Sequence, residues 1–350
     1  MNNLRVLGKF LDQPILVSKF QKKVPAILAG ATLGYTAYNT KKAQKGHKKE
    51  TAIKTGLTLG LTAASAVAAP HIASKITKRA LPSTLEKIKQ NNKILVDTFI
   101  KNNDVKEKTL RILKKSENKI LSFNEVKTVF SELKDSKKGK EFLEKLIPSP
   151  ENITAKDIFS EIGYLSIFGA VPVLGGIIGG IVSDRITDKN NWKDKIPNKI
   201  KEGSYQYLAN IFMCNVGAGG ALAIMEKLGI QSKGARALGM TTGIILTGII
   251  GGSKIANFIG DKIIDPIFSP KQKKVKTTNI LEEKMIRIQE KAERKERKRQ
   301  KQRTPEVLDI GLHTDDIATV SLLSGLKWIE PALPVMYTLS GYRAGIGYRN

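Results

Sequence analysis

Two glycine-rich apolar strings constrain the fold of this chain most. Residues 246–252 read Leu-Thr-Gly-Ile-Ile-Gly-Gly, and residues 174–180 read Leu-Gly-Gly-Ile-Ile-Gly-Gly. A glycine inside a helix costs roughly 1 kcal/mol relative to alanine in water. In lipid, by contrast, glycines four residues apart let two helix backbones approach closely. The strings therefore predict an all-α, multi-pass helical membrane protein with glycine-rich (GxxxG) packing segments.

A sequence repeat near the N-terminus carries the same spacing. Residues 26–37 and 52–63 share eight identities in twelve positions, 26 residues apart, and each copy holds two glycines four apart. We interpret the pair as a helical hairpin packed through its glycine face. The alternative is chance similarity between small-residue helices. The glycines predicted to pack are Gly30, Gly34, Gly56, Gly60, Gly175, Gly176, Gly179, Gly180, Gly248 and Gly252.

Five uncharged, mostly apolar blocks are 17 to 23 residues long. They cover residues 24–40, 55–74, 162–183, 203–225 and 237–253. About 20 apolar residues are needed to cross a ~30 Å hydrocarbon core, so the two 17-residue blocks stand at the lower limit. We expect four to six membrane segments.

The C-terminal apolar stretch is ambiguous because Lys327 and Glu330 interrupt it. Read as one span, it would place these two ions near mid-membrane, three residues apart on one helix face, where they could pair. Read as a re-entrant or interfacial hairpin, it breaks at Pro331 and Pro334. The hairpin is slightly favoured. Asn215, Lys327 and Glu330 are the candidate intramembrane polar residues.

The chain is strongly basic, and its charge is separated from its apolar blocks. Its formal net charge is +27, although 41% of its 350 residues are hydrophobic. Such an excess predicts an acidic partner, either anionic lipid or nucleic acid. Aromatic residues are only 6% and no nucleic-acid reading motif is present, so nucleic acid is the less favoured partner. Membrane lipids, preferentially anionic, are expected.

Charge and hydropathy divide the chain into six regions. These are an amphipathic basic N-terminus (1–23), the repeated hairpin (24–74), a basic soluble helical region (75–150), a glycine-rich membrane helix bundle (151–268), a charged helix or linker (269–308) and the C-terminal membrane or interfacial hairpin (309–350). The N-terminus is interpreted as an interfacial anchor, a surface helix or a transit peptide.

Both long basic regions are expected to be helical. Residues 75–145 hold 19 Lys/Arg and 10 Asp/Glu, with apolar residues at helical spacing, which predicts four or five short helices. Ser122 with Glu125, and Ser131, are the predicted helix starts. Residues 271–303 hold 14 Lys/Arg and 5 Asp/Glu. The predicted contacts with anionic lipid are Arg294, Lys295, Arg297, Lys298 and Arg299.

The charge pattern gives no consistent orientation. Basic segments 41–49 and 75–145 lie on either side of one predicted span, which conflicts with the positive-inside rule. Either one block does not cross or long loops escape the rule. A further alternative is that the glycine-rich blocks form a compact soluble core.

The sequence contains no recognisable enzyme, metal or cofactor motif. Patterns such as HExxH, GxSxG and Walker A are missing, Cys214 is the single cysteine, and the three histidines are far apart. Residues 211–222 imitate a dinucleotide-binding turn, but Leu222 stands where the third glycine is needed. Asp184, just outside an apolar block, is expected to be solvated. We predict no enzyme activity, no cofactor and no metal.

These observations favour a structural or scaffolding membrane protein. We expect it to lie in a bacterial inner membrane. A homo-oligomer is a candidate assembly. A transporter or pore is the first alternative, because internal repeats and helices broken by proline or glycine are typical of that class. A soluble, basic nucleic-acid-binding helical protein is the second.

Overall fold

The computed structural model describes residues 3–147, 155–230, 232–268, 320–323 and 327–347. Within these ranges the chain is helical and forms no strand. Four helices are long and apolar enough to cross a membrane, by length and composition. They are Lys48–Thr77, Asp157–Thr187, Trp192–Lys227 and Ala235–Phe268. The prediction of an all-α chain with several helices of membrane-spanning length is confirmed.

The structure describes the following α-helices, given in chain order. They are α1 Asn3–Leu11, α2 Pro14–Lys42, α3 Lys48–Thr77, α4 Leu85–Lys101, α5 Glu107–Ser116, α6 Phe123–Leu133, α7 Lys137–Leu146, α8 Ala155–Thr187, α9 Ile196–Tyr207, α10 Met213–Lys227, α11 Lys233–Gly243, α12 Ser253–Ile259, α13 Asp265–Phe268 and α14 Leu333–Ile346. Three π-helical stretches, Leu208–Phe212, Ile244–Gly252 and Gly260–Ile264, join α9 to α10 and α11 to α13 without a break. Short 3₁₀ segments precede α9 and α14.

The apolar block 24–40 differs from the other four blocks. It lies within α2, which is not among the helices long and apolar enough to span. The first turns of α2 carry Lys19, Lys22 and Lys23, so the apolar part of this helix is only 17 residues long. At 1.5 Å per residue this part covers about 26 Å, slightly less than a ~30 Å hydrocarbon core.

Helices α4 to α7 form a small cluster on which the N-terminal helix α1 packs. Val6 of α1 is fully buried with core residues of these helices, among them Val96, Leu113, Val126 and Phe142. At the junction of α1 and α2, the Gln13 side chain donates to the Leu121 carbonyl at 2.9 Å and accepts from the Leu121 N–H at 2.7 Å. The N-terminus is thereby fixed to this cluster.

Side-chain hydrogen bonds of serine residues cap the starts of two helices in this cluster. The Ser122 hydroxyl accepts from the Glu125 N–H, and the Glu125 carboxylate accepts from the Ser122 N–H at 2.7 Å, so the predicted capping box is confirmed. The predicted start at Ser131 is wrong. Ser131 lies inside α6, where its hydroxyl donates back to the Thr128 carbonyl, and the next cap is Ser136.

The C-terminal helix α14 lies inside the bundle of membrane-length helices. Its buried residues include Leu333, Tyr337, Gly341 and Ala344, and it packs between α3, α8 and α9. The favoured expectation, a re-entrant or interfacial hairpin over residues 309–350, stays a prediction, because residues 309–319 and 324–326 lie outside the described residues. Pro334 stands in the first turn of α14, where its missing N–H costs no helical hydrogen bond.

Backbone meets backbone where α8 approaches α14 and α3. An added Cβ at Gly176 would overlap the Gly341 carbonyl, and one at Gly180 would overlap the Gly345 carbonyl. On the α3 side, a Cβ at Gly179 would lie 2.9 Å from the Thr58 Cα. Any side chain at these positions would push the helices apart.

The remaining predicted packing glycines fall into two groups, and Gly175, where an added Cβ would overlap the Ser65 side chain, belongs to the closely packed one. A Cβ at Gly252 would lie 2.6 Å from the Ala209 Cα, and one at Gly248 would overlap the Cys214 sulfur, so both face neighbouring backbone closely. Gly30, Gly34 and Gly60, in contrast, have no described atom within 4 Å of an added Cβ. Gly56 makes only an ordinary contact with the Thr36 methyl, at 3.6 Å. The structure therefore leaves the glycine face of the α2–α3 pair largely open.

Replacing Gly176 by alanine is expected to destabilise the bundle, whereas replacing Gly34 by alanine is not. The methyl group of an alanine at position 176 would meet a backbone carbonyl that cannot rotate away, which corresponds to an overpacking cost of about 1–3 kcal/mol. At Gly34 the methyl meets open space. Thermal unfolding in detergent, followed by circular dichroism, measures both variants, and equal melting temperatures for the two would contradict the observed approach of α8 and α14.

Candidate functional sites at the two ends of the bundle

Two cavities lie at opposite ends of the bundle formed by α2, α3, α8 and α14. The first, of about 680 Å³, is lined by residues from the start of α2, the end of α3 and the starts of α8 and α14. The second, of about 670 Å³, is lined by the end of α2, the start of α3 and the ends of α8 and α14. Helix α3 therefore runs antiparallel to α8, whereas α14 runs parallel to α8.

The first cavity, named here the arginine cavity, is organised by Arg79 in the link between α3 and α4. The Arg79 guanidinium donates to the Glu161 carboxylate of α8 at 2.9 Å and lies 3.6 Å from the Glu330 carboxylate. It also stacks over the Tyr164 ring, 4.2 Å from the ring centroid. One cation thus joins three chain segments that are far apart in sequence.

Burial and the neighbouring charges shift the pKa values of these groups in opposite directions. Burial lowers the pKa of the Arg79 guanidinium, but the carboxylates of Glu161 and Glu330 outweigh it, so that its pKa is raised and the cation is retained. Burial raises the pKa of the Glu330 carboxyl, and the attraction of Arg79 only partly opposes this. Burial likewise raises the pKa of Asp12, although Asp12 accepts a hydrogen bond from the Trp328 N–H at 3.0 Å.

The rest of the arginine cavity is mixed in character. Proline and aliphatic side chains cover much of its wall, including Pro14, Pro25, Val67, Pro70, Pro331 and Pro334. Exposed Lys145 and Lys327 stand at its edge. The arginine cavity therefore offers an apolar wall with ions that are mainly paired to each other.

The second cavity, named here the lysine cavity, is lined mainly by residues with charged or polar side chains. Four lysines line it, Lys42, Lys54, Lys195 and Lys199, together with a single carboxylate, Asp184. Its neutral lining groups are Asn39, Thr51, Thr55, Thr58, Ser183, Asn198 and Tyr342, along with smaller backbone contributions from Ala43, Gly345 and Ile346.

Buried Lys199 has a structural explanation. Its ammonium lies 3.0 Å from the Asp184 carboxylate, and both side chains are only 6% exposed. The same ammonium donates to the carbonyls of Gly345 and Ile346 at the end of α14. The expectation that Asp184 is solvated is wrong, because the cation that caps α14 needs a counter-charge inside the protein.

A line of polar side chains follows one face of α9 and continues into the π-helical stretch after it. Glu202, Gln206 and Asn210 stand four residues apart and are each at most 2% exposed. Gln206 donates to the Glu202 carboxylate at 2.8 Å, Asn210 donates to the Gln206 carbonyl oxygen at 2.9 Å, and Arg343 of α14 lies 3.5 Å from Glu202. The four-residue spacing was visible in the sequence, whereas the partner Arg343 was not.

The structure separates the predicted polar residues. Glu330 and Lys327 lie at the arginine cavity, at one end of the bundle, and Arg79 rather than Lys327 forms the ion pair with Glu330. Asn215 is buried in α10. The predicted lipid contacts Arg294, Lys295, Arg297, Lys298 and Arg299 lie outside the described residues. Sequence reasoning missed Arg79 and Lys199, because nothing local in the sequence identifies their distant partners.

Replacing Glu330 by glutamine is expected to flatten the pH dependence of stability. Because the pKa of Glu330 is raised in the fold, the folded state holds its proton more tightly than the unfolded state. The stability that the Glu330 carboxyl contributes is fully present below its pKa in the unfolded state. It is lost as the pH rises through the higher pKa of the folded state. The wild-type melting temperature should therefore fall more between about pH 5 and pH 8 than that of Glu330→Gln.

A matched control for this experiment is Glu107→Gln, because Glu107 is a 78% exposed carboxylate of α5 paired only with Arg111. The Glu107→Gln variant should keep the wild-type slope of melting temperature against pH, to which Asp12 also contributes. A Glu330→Gln slope as steep as that of the wild type would contradict the burial of a protonatable carboxyl at this position.

Comparison with known proteins returns no match: no family model, no curated protein and no solved structure resembles the chain. The function must therefore follow from the chemistry of the two cavities and from the distribution of polar and apolar side chains over the helices.

Proposed function

We propose that the chain is a non-enzymatic integral membrane protein of structural type. Its helices pack through glycine stripes into a bundle embedded in the bilayer, and its basic regions contact anionic lipid at the membrane surface. One observation carries the proposal: large aliphatic side chains are exposed along the outer faces of the longest apolar helices.

The outer face of α8 supports this proposal most directly. Leu174, Ile178 and Ile186 recur every four or eight residues on one face of α8, and each is half exposed or more. The opposite face carries Gly176 and Gly180, which meet α14. In water an exposed aliphatic stripe of this length would be costly at about 25 cal/mol per Å². In lipid it is the expected surface.

The same arrangement extends to the last long helix. Leu238, Leu246 and Phe258 are each more than half exposed, although this helix is among the most apolar of the chain. The buried interior holds Thr62 and Gln206, which are fully enclosed. A water-soluble helical bundle would not be expected to expose long stripes of large aliphatic side chains.

Two parts of the proposal go beyond the described contacts. The lysine-rich surface of α4 to α7 and the residues 294–299 would be drawn to anionic lipid, by about 1 kcal/mol for each basic residue near the surface. The open face around Gly30 and Gly34 is where a second copy of the chain would pack in a homo-oligomer. Nucleic acid is the less favoured partner.

Membrane fractionation tests the proposal. The full chain should stay in the membrane pellet through both an alkaline carbonate wash and a high-salt wash, because apolar spans are indifferent to charge screening. A peripheral protein that is held by its basic regions leaves with salt. Release by either wash would overturn the proposal and favour a soluble helical core.

A transporter or pore is the second candidate, and the polar face of α9 favours it. An ionisable residue inside a membrane helix is a functional-site hypothesis by default. Glu202, Gln206 and Asn210 form a buried polar line, and a π-helical stretch begins at Leu208. Such π-helical turns occur frequently at functional sites.

Proton flux into proteoliposomes loaded with pyranine separates the two candidates. A structural protein is expected to give the same flux as empty liposomes under an imposed diffusion potential. A wild-type flux that is abolished in Glu202→Gln but kept in Glu226→Gln, at the far end of α10, would contradict the structural proposal. Glu330→Gln extends the comparison to the arginine cavity.

A further inference from the structure

We propose that the lysine cavity binds a phosphate group, such as the headgroup phosphate of an anionic phospholipid. This inference rests on the proposed membrane function and adds a defined ligand site to it. The site is distinct from the residues 294–299 that the sequence assigned to anionic lipid.

The charges around the lysine cavity favour an anion. Its lining holds four ammonium groups and one carboxylate, and that carboxylate, Asp184, is already occupied by Lys199. Lys42 contacts only the Tyr38 ring, 4.6 Å away, among the described residues. The lining residues themselves therefore carry three more ammonium groups than carboxylates.

Two of the lysines are paired with carboxylates that stand outside the lining. Lys54 lies 2.6 Å from Glu50, and Lys195 lies 2.7 Å from Asp188. These are partly exposed ion pairs, which contribute little to stability, typically about 0–1 kcal/mol. Both ammonium groups can therefore turn to a phosphate at small cost.

Neutral donors complete the site. The Thr55 side chain lines the cavity, the residue is 7% exposed, and its hydroxyl has no hydrogen-bond partner among the described residues. The hydroxyl of Thr51 and the amide of Asn39 also line the cavity and lack a partner within that part of the chain. All three groups therefore have donors that can turn to a ligand in the cavity. Phosphate oxygens accept from hydroxyl, amide and ammonium donors alike.

Size and position fit a phospholipid headgroup. At ~30 Å³ for each water, 670 Å³ corresponds to roughly 20 water molecules, much more than one phosphate ion needs. Ser183 and Asp184 of the lining are neighbours in sequence of Val182 and Ile186, which are exposed on the outer apolar face of α8. A lipid whose headgroup enters here can leave its acyl chains along that face.

The arginine cavity is the weaker alternative for an anion. Its partly buried cation, Arg79, is held by two carboxylates, Glu161 and Glu330. An anion there would have to compete with both carboxylates for this one cation.

A pair of charge-matched double variants tests the proposal. Lys42→Gln/Lys54→Gln removes two lining ammonium groups. Lys41→Gln/Lys49→Gln removes two exposed lysines from the same helix ends, and neither of these lines the cavity. Native mass spectrometry of the full chain in detergent, with phosphatidylglycerol and phosphatidylcholine at equal amounts, counts the retained lipids. The lining variant should bind phosphatidylglycerol roughly tenfold or more weakly, and the control should stay within about twofold of wild type.

A parallel measurement identifies the source of the phosphate group. Thermal unfolding with and without millimolar inorganic phosphate reports binding of the free ion. Loss of phosphatidylglycerol retention in the lining variant alone supports a lipid headgroup. Loss of a phosphate-induced stabilisation in that variant alone supports a soluble phosphate compound. Equal effects of the two double variants in both measurements would overturn the site and leave only general surface electrostatics.

Two further readouts separate folding and membrane insertion from binding. Thr55→Val removes the unpartnered hydroxyl without changing charge, and it should weaken retention while keeping the melting temperature of the unliganded protein. Carbonate extraction of the same variants reports insertion. If carbonate releases the wild type, the proposed membrane function fails, and the phosphate measurement still decides whether the cavity binds its ligand.

Discussion

The rest of the structure depends on the enclosure of one short helix. Helix α14 has 14 residues, about 21 Å at 1.5 Å per residue, and is too short to cross a ~30 Å hydrocarbon core alone. It must therefore be surrounded by longer helices, and glycines make this possible. Gly341 and Gly345 meet Gly176 and Gly180 of α8, so that the two backbones touch without side chains between them.

A helix that ends inside a bundle leaves carbonyls and charges that need partners. At the C-terminus of α14, Lys199 donates to the carbonyls of Gly345 and Ile346, and Asp184 then balances its charge. Before the N-terminus, buried Glu330 is met by Arg79, which in turn holds Glu161. The two ion clusters at opposite ends of the bundle thus have one common cause, and each has a cavity beside it.

The sequence was sufficient to predict what depends on local pattern. Apolar blocks identified the membrane-length helices, although α8 begins seven residues before its block because helices continue into charged ends. The capping box at Ser122 followed from spacing alone. The predictions that failed concern residues whose partners are distant in the sequence. The spacing of Lys327 and Glu330 suggested that these two residues could pair, but Arg79, which nothing near Glu330 in the sequence identifies, forms the ion pair with Glu330. The solvated position expected for Asp184 failed for the same reason.

The buried polar face of α9 is where the two candidate functions make opposite demands. A transporter needs Glu202 to exchange partners with a moving ion, whereas a structural bundle needs it permanently satisfied. Glu202 is 1% exposed, accepts from Gln206 and lies beside Arg343, so its charge is already balanced within the protein. Breaking such a buried pair by removing one partner is typically costly, about 3–5 kcal/mol. The paired state of Glu202 therefore favours a static, structural role, whereas the ion pairs of Lys54 and Lys195 at the lysine cavity are partly exposed and can be exchanged at small cost.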